Sequence, residues 1–591
     1  MAKRLQGWKS NLLSQVGRSQ LIQTTSSAIP NYFMNAFFLP KKIHKQIDKT
    51  NRNFYWGHSI HQKKIHHISW KKICKPKKLG GLGLRSSESI NHCYMAKLKW
   101  NVLKGKKNLS TKILTTKYGK HLSKNKHNSS FIRKSMNKDN NILKNGTIWR
   151  IGNGKTINLW HDNWLDSGPL RNHLIGPLNK NEETTKLETL TQNWPPINIP
   201  FLHEHASREI ASIFISLAPN TEDILAWKFS KDGDFSIKSA YNSTFPPNQT
   251  TNTNLSWIWK TDSHPRENHF LWQTYHKGIP TAKKLNSINC LPSPICRLCN
   301  SSEETIIHLL RDCNIIKPIW LSLGVPNSFF QTDLQPWLRH NSEKKSLQIF
   351  SIPWNTLFTY IIRNIWLNRN QLIFRNKPFL SHVTLRHSIQ KATEHYFLVK
   401  PPSNPTPKET VMIKWTKPSP PFLKLNVDGS CSNNHMGSGG LIRDEFGNHI
   451  LSYCHNPGYG YALMSELWAL QIGLTLAINM NIQQLEIETD SSVVKQLMEK
   501  NDLPNTSKYF TVISNCRSLL TSLQAWKIQH CFREANRSAD ALANHGRQNN
   551  TYKTTFHQPP PFLIPHLLHD QQQTPTPRSI TINQEMQQQG T

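Results

Sequence analysis

Apolar positions at helical spacing open the chain: Leu5, Trp8, Leu12, Leu13 and Val16, then Ile22, Ile29, Phe33 and Phe37, punctuated by Pro30 and Pro40. Residues 1–56 are therefore predicted to be helical. Gly80-Gly81-Leu82-Gly83 fits neither the phosphate-loop nor the dinucleotide spacing and reads as a structural turn. The stretch 147–165 reads as a strand pair folded about Gly152-Asn153-Gly154. Residues 180–225 are polar and carry no firm period. Residues 233–325 form a Trp-rich, mainly helical block, and 355–398 again show helical spacing. The Pro-rich stretch 400–421 predicts a stiff linker. From 422 to 547 strands give way to an amphipathic helix, then strand and helix again, which is an α/β pattern. Residues 548–591, rich in Gln, Pro and Thr, are predicted to be disordered. At 591 residues the chain is too long for one core. The pattern divides it into a basic, mainly helical region at 1–160, the block at 233–325, a helical region at 326–399, the linker, the α/β domain at 422–547 and the tail.

Charge changes this picture. The chain carries 73 Lys/Arg against 36 Asp/Glu, a net of +37 with His neutral. The excess is concentrated at the front: residues 1–155 hold 33 basic residues and three acids (Asp48, Glu88, Asp139), whereas 421–548 hold ten basic and 11 acidic residues. So lopsided a segment repels itself without a counter-charge, which points to a polyanion and argues against a carrier of cations. Aromatics are interleaved with the lysines: Phe54, Tyr55 and Trp56, then Lys63-Lys64, Trp70 and Lys71-Lys72. They fit either base stacking beside phosphate neutralisation or a core beneath a solvated basic face. No apolar run reaches the roughly 18 residues of a membrane span, and MAKRLQGWKS lacks the apolar core of a secretory signal. Nucleus and cytoplasm are equally compatible.

Four of the six cysteines before the linker lie between 290 and 313. Cys296, Cys299, His308 and Cys313 follow C-x2-C-x8-H-x4-C, a soft four-ligand set that suits a structural Zn²⁺. Cys290 and His276 are nearby alternatives. No HExxH accompanies the cluster, which disfavours a catalytic zinc. Such an ion would hold together a module with little core of its own.

In the α/β domain, Asp428 is placed at a strand end before Gly429, Glu466 in the first turns of the amphipathic helix, Asp490 at the close of Leu485–Thr489, and Asp540 at a helix start. Acids at strand ends and helix beginnings of an α/β sheet converge on one edge. Four carboxylates together repel unless cations bind between them, and the set suits two Mg²⁺ ions acting on a phosphodiester.

The strings KLNVDGS, GSGGLIRD, SELWALQIGL, IETDSSVV and FREANRSADALA resemble the type 1 ribonuclease H family in its plant retroelement-like branch. The resemblance implies a five-stranded mixed sheet with flanking helices, and Asp428, Glu466, Asp490 and Asp540 as the metal-binding, catalytic carboxylates. It further implies His530 as an aid to product release or proton transfer, and Arg533 and Asn536 as nucleic-acid contacts. FSIKSAY, HFLWQTYHKGIPTAKKL and the Cys/His cluster resemble the zinc-binding domain of plant LINE-type, non-LTR retroelement reverse transcriptases. RLQGWKSNLLSQVGRSQ, SWKKICKPKKLGGLGLR and WRIGNGKTINLWHDNWL resemble the region that follows the polymerase palm in those polyproteins.

No adjacent Asp pair occurs, so the polymerase palm is expected to be missing and any polymerase to be supplied in trans. The chain reads as a fragment, a truncated element or a gene derived from one. Two functions follow as expectations. The first is an endonuclease that cleaves the RNA strand of RNA/DNA hybrids with two Mg²⁺. The second is a catalytically unused retroelement remnant that binds nucleic acid. A steep salt dependence of binding without Mg²⁺-dependent cleavage would favour the second.

Overall fold

The computed structural model describes residues 13–58, 64–118, 130–137, 141–174, 176–178, 182–191, 202–218, 221–245, 254–399, 408–500, 503–549 and 552–581. Leu5, Trp8, Leu12, Lys63 and Asp139 lie outside the described residues, as do 400–407 and 582–591. The chain divides into two compact units. One comprises residues 1–102, 107–139 and 241–405; the other comprises 103–106, 140–240 and 406–591.

The first unit is helical. Pro30 and Pro40 immediately precede the helices Asn31–Ala36 and Lys41–Trp56, where a missing N–H costs nothing. Further helices run over Ser87–Leu103, Pro265–Tyr275, Trp354–Arg375 and Ser381–Val399. One hydrophobic core extends from Ile22 to Ala392, so the regions separated in the sequence at 1–160, 233–325 and 326–399 share packing. Two hydrogen bonds tie its ends: Tyr55 to His269 at 2.9 Å, and the Trp272 indole N–H to the Gly80 carbonyl at 2.9 Å. Phe54, Tyr55, Trp56 and Trp70 are all buried, so these aromatics are core and not stacking platforms for bases.

The second unit joins residues 140–240 to the α/β domain. Its strands are β1 (Thr147–Arg150), β2 (Ile224–Trp227), β3 (Lys408–Ile413), β4 (Leu423–Ser432), β5 (His435–Arg443), β6 (His449–Tyr459), β7 (Gln484–Thr489), β8 (Ala525–His530), β9 (Lys553–Phe556) and β10 (Thr576–Thr581). The expected hairpin about Gly152-Asn153-Gly154 does not form: β1 pairs antiparallel with β2. Asp223 draws the glycine turn toward β2. Its carboxylate accepts the N–H groups of Gly152, Gly154 and Thr156, each at 2.9 Å.

The main sheet is mixed and has six strands in the order β8-β7-β4-β5-β6-β9, not the five expected. The β8/β7 and β7/β4 pairs are parallel and the rest antiparallel. The sixth strand is β9, from a segment predicted to be disordered. Residues 552–581 instead form β9, a helix at Ile564–Gln571 and β10, which pairs antiparallel with β3 from within the predicted linker. The apolar anchors Leu563 and Leu567 were masked by the surrounding polar composition; they are buried against Leu441, Ala539 and Leu542.

Helix α1 (Glu204–Ala211) belongs to the 140–240 segment. Helix α2 (Ala462–Asn479) covers one sheet face with Leu425, Val427 and Ile487, and α3 (Ser492–Glu499) and α4 (Phe510–Thr521) complete that layer. Among the described residues α2 alone is long and apolar enough to cross a membrane, a property absent from the sequence-based expectation; half of it is buried in this core. Helix α5 (Arg537–Gln548) covers the opposite face. Two glycines permit these approaches. A Cβ on Gly429 would come within 2.3 Å of the Glu466 nitrogen, and one on Gly439 within 2.3 Å of the Ala543 nitrogen.

Candidate functional site

Asp428 lies within β4, with four strand residues still to follow, rather than at the strand end expected. The turn comes later, at Asn433-Asn434, both at positive φ. Glu466 is the fifth residue of α2, and Asp490 directly follows β7. Oxygens of these three carboxylates lie within 4.8 Å of one another. Glu466 Oε2 is buried and has no hydrogen-bonding partner. Burial first, and the neighbouring Asp490 and Asp540 second, push the Asp428 carboxyl up to about 8. Glu466 is driven well above its ordinary range by burial and then by Asp428 and Asp490. An all-oxygen donor set, one oxygen of it orphaned, fits a hard divalent cation such as Mg²⁺.

Asp540, the fourth residue of α5, is held at the rim. Its Oδ1 accepts from Arg533 at 2.6 Å and its Oδ2 from Asn544 at 3.1 Å. The ion pair raises Arg533 above its usual value. Arg533 remains exposed, whereas Asn536 is only 1% exposed. Its amide donates to the Val427 carbonyl at 2.9 Å and accepts from Asn426 at 3.2 Å. His530, at the end of β8, donates from Nε2 to the Asp490 carbonyl at 3.0 Å.

Sequence reasoning missed the polar layer behind Asp428. Lys424 is fully buried and lies 2.7 Å from Glu486 and 2.5 Å from Glu488. Asn426 donates to Glu488 at 2.9 Å and accepts from Arg443 at 2.7 Å. Arg443 also pairs with Asp570 at 2.7 Å and lies 3.6 Å from the Trp415 ring centroid. The signal was the polar alternation of Lys424, Asn426 and Asp428, which on its own reads as a solvated face.

In the other unit, Cys296, Cys299, His308 and Cys313 place four ligand atoms within 4.8 Å of one another. A zinc–sulfur distance near 2.3 Å implies tetrahedral edges of about 3.8 Å, so the cluster is the right size. Cys296 opens a tight turn in which Asn300 N–H donates to its carbonyl at 2.8 Å. His308 starts one wide helical turn, and Cys313 ends it by donating its N–H to the His308 carbonyl at 2.8 Å. Cys313 shares its proton with Cys296, which holds the Cys296 thiol down to about 3 and raises Cys313. His276 is engaged by the Gly80 carbonyl at 2.7 Å and Cys290 is exposed outside the cluster, so neither alternative ligand joins it.

Residues 426–546 match the family model described as reverse transcriptase-like, and 235–320 match that described as zinc-binding in reverse transcriptase. The chain has a retroelement-type architecture. It combines a ribonuclease H-like domain with a reverse-transcriptase zinc-binding region. Over 579 residues it is 29% identical to an Arabidopsis thaliana protein named "Putative ribonuclease H protein", covering 92% of this chain and 91% of the relative. An uncharacterized mitochondrial protein of Arabidopsis thaliana is 29% identical over 149 residues, covering 24% of this chain and 97% of that protein. Among solved structures, ribonuclease H1 of Halobacterium salinarum is similar at 26% identity, covering 22% of this chain and 98% of that one with a TM-score of 0.21. LC11 ribonuclease H1 in complex with an RNA/DNA hybrid is similar at 21% identity, covering 21% and 96% with a TM-score of 0.20.

Proposed function

We propose that residues 422–547 hydrolyse the RNA strand of RNA/DNA hybrids, using two Mg²⁺ ions held by Asp428, Glu466, Asp490 and Asp540. The observation that carries this reading is the triad of carboxylates within 4.8 Å of one another, one oxygen of Glu466 being buried without a partner. When bound, the ions supply a more acidic water and charge stabilisation at the leaving oxygen. Asp428 and Asp490 serve the region of the scissile phosphate. Glu466 supports the leaving-group side and a 2′-hydroxyl, the group that separates RNA from DNA. Asp540 serves the attacking-water side, and Arg533 releases it as the guanidinium turns to a phosphate. His530 Nε2 carries a proton to or from the product. The new bond joins water oxygen to phosphorus as the bond to O3′ breaks, leaving 5′-phosphate and 3′-hydroxyl ends.

Asn536 acts through the β4 backbone, and the basic N-terminal region supplies affinity for the polyanion. The Cys/His cluster holds one structural Zn²⁺. The test uses the full chain on an end-labelled hybrid with Mg²⁺. Cleavage is expected for the wild type and a loss of at least about 10³-fold for Asp428→Asn, the scale of removing one essential charge-stabilising group. Equal failure by both proteins sinks the enzyme reading. Salt-sensitive binding alongside that failure would support the remnant that only binds nucleic acid.

A further inference from the structure

A cavity of about 350 Å³ lies within the second unit, between the 148–214 segment and the β6–α2 loop of the ribonuclease H-like domain. That size falls within the range of small-molecule sites. Neither matched family segment covers residues 148–214. The cavity wall carries both signs of charge together with aromatic rings. Glu209, on α1, is 9% exposed; its Oε1 accepts the Ser167 N–H at 3.1 Å, while its Oε2 is buried with no partner. Arg150 Nε, at the end of β1, is a buried donor with no partner. Lys508 lies 4.0 Å from the Tyr461 ring centroid, and Trp149 supplies a second aromatic wall.

Glu209 and Arg150, each carrying one buried atom with no partner, both line this cavity, so its ligand needs a donor and an acceptor of its own. A phosphate has no N–H for Glu209 and would be repelled by that carboxylate. An apolar side chain would leave both groups unsatisfied, at a cost each. A planar heterocycle with both functions, stacked beside the rings, satisfies the wall. Guanine does so with its N1–H and 2-amino group toward Glu209 and its O6/N7 edge toward Arg150; pairing of that edge with arginine is the commonest specific contact to this base. We propose that this cavity is a binding site for an unpaired guanine of single-stranded nucleic acid, distinct from the carboxylate site. Tyr461 caps α2, and Glu466 lies five residues on, about 7.5 Å along the axis at 1.5 Å per residue. A strand seated here would therefore run close to the carboxylates.

The test reads binding without cleavage, so it does not depend on the nuclease reading. The probe is a fluorescent short oligouridine RNA, alone or with one central guanine, adenine or hypoxanthine, titrated with the full chain at one salt concentration. The guanine oligomer is expected to bind about 10-fold tighter than the uridine and adenine ones, the lower end of a specific base contact. Hypoxanthine, which lacks the 2-amino group, loses part of that gain, and Glu209→Gln reduces the preference to about 2-fold or less. Equal affinities in the wild type, or a preference kept in Glu209→Gln, overturn the proposal. A second measurement needs no variant: photocrosslinking of an oligomer bearing 6-thioguanine to the wild-type chain. Adducts on peptides containing Trp149 or Tyr461 are expected, and adducts confined to other parts of the chain overturn it.

Discussion

The side-chain amide of Asn536 donates to the carbonyl of Val427 at 2.9 Å, which holds the backbone immediately before Asp428. Removing it takes one donor from the buried Val427 carbonyl and one acceptor from Asn426, which keeps Glu488 and Arg443. Asn536→Ala is expected to cost about 1–3 kcal/mol of stability in thermal or urea unfolding. It should also lower kcat on a hybrid by about 10-fold, equivalent to about 1.4 kcal/mol, with KM little changed. A fall in KM-dependent binding alone would return Asn536 to a substrate contact.

The carboxylate cluster predicts an unusual pH response in the absence of divalent ions. Asp428 titrates near 8 in the folded chain against about 3.8 when unfolded, so the folded form holds the extra proton between these values. Its contribution to stability is therefore full below pH 4 and is lost as pH rises toward 8. Melting of metal-free protein should show a loss from pH 5 to pH 8 that Asp428→Asn flattens. Added Mg²⁺ or Ca²⁺ should raise Tm more at pH 8 than at pH 5, because cations then replace protons. An equal gain at both values would mean that no ion binds between these acids.

Arg443 and Asp570 form an ion pair in which the side chains are 1% and 3% exposed. Ser538, on α5, also donates to Asp570 at 2.9 Å. Asp570→Ala strands the guanidinium in the interior, and a loss of about 3–5 kcal/mol is expected by chemical denaturation. A variant terminated after residue 549 should lose at least as much. A drop under about 1 kcal/mol would place the pair among the weak surface bridges.

Metal analysis of the purified chain should give one zinc per molecule. Cys296→Ser is expected to abolish it and to lower Tm, since ligand binding to a small module is part of its folding free energy. Cys290→Ser should leave the zinc content intact, because that thiol lies outside the cluster. Full zinc retention by Cys296→Ser would remove it from the ligand set.

Some of this was legible in the chain because it is local. The spacing of Cys296, Cys299, His308 and Cys313 brings ligands together through one turn and one wide helical loop. Pro30 and Pro40 set helix starts by their own geometry. The order of apolar strands around Asp428, Glu466 and Asp490 carried the α/β domain. The β1 pairing and the ordered segment 552–581 were not legible, because their partners are distant: Ile224–Trp227 for β1, and Leu441 and Arg443 for the C-terminal segment. The burial of Lys424 and Asn426 was not legible for the same reason, since alternation shows that a strand has two kinds of face but not that both are covered.

The sequence by itself determined the candidates for the chemistry: acids on adjoining strands and helices, soft ligands at metal spacing, and a basic front. Only the tertiary structure decided that Asn536 and Lys424 turn inward, that a sixth strand joins the sheet, and that Glu209 and Arg150 line one cavity. Side-chain identity and local spacing are properties of neighbouring residues. Burial is a property of whatever packs on top, and here it comes from segments tens to more than a hundred residues away.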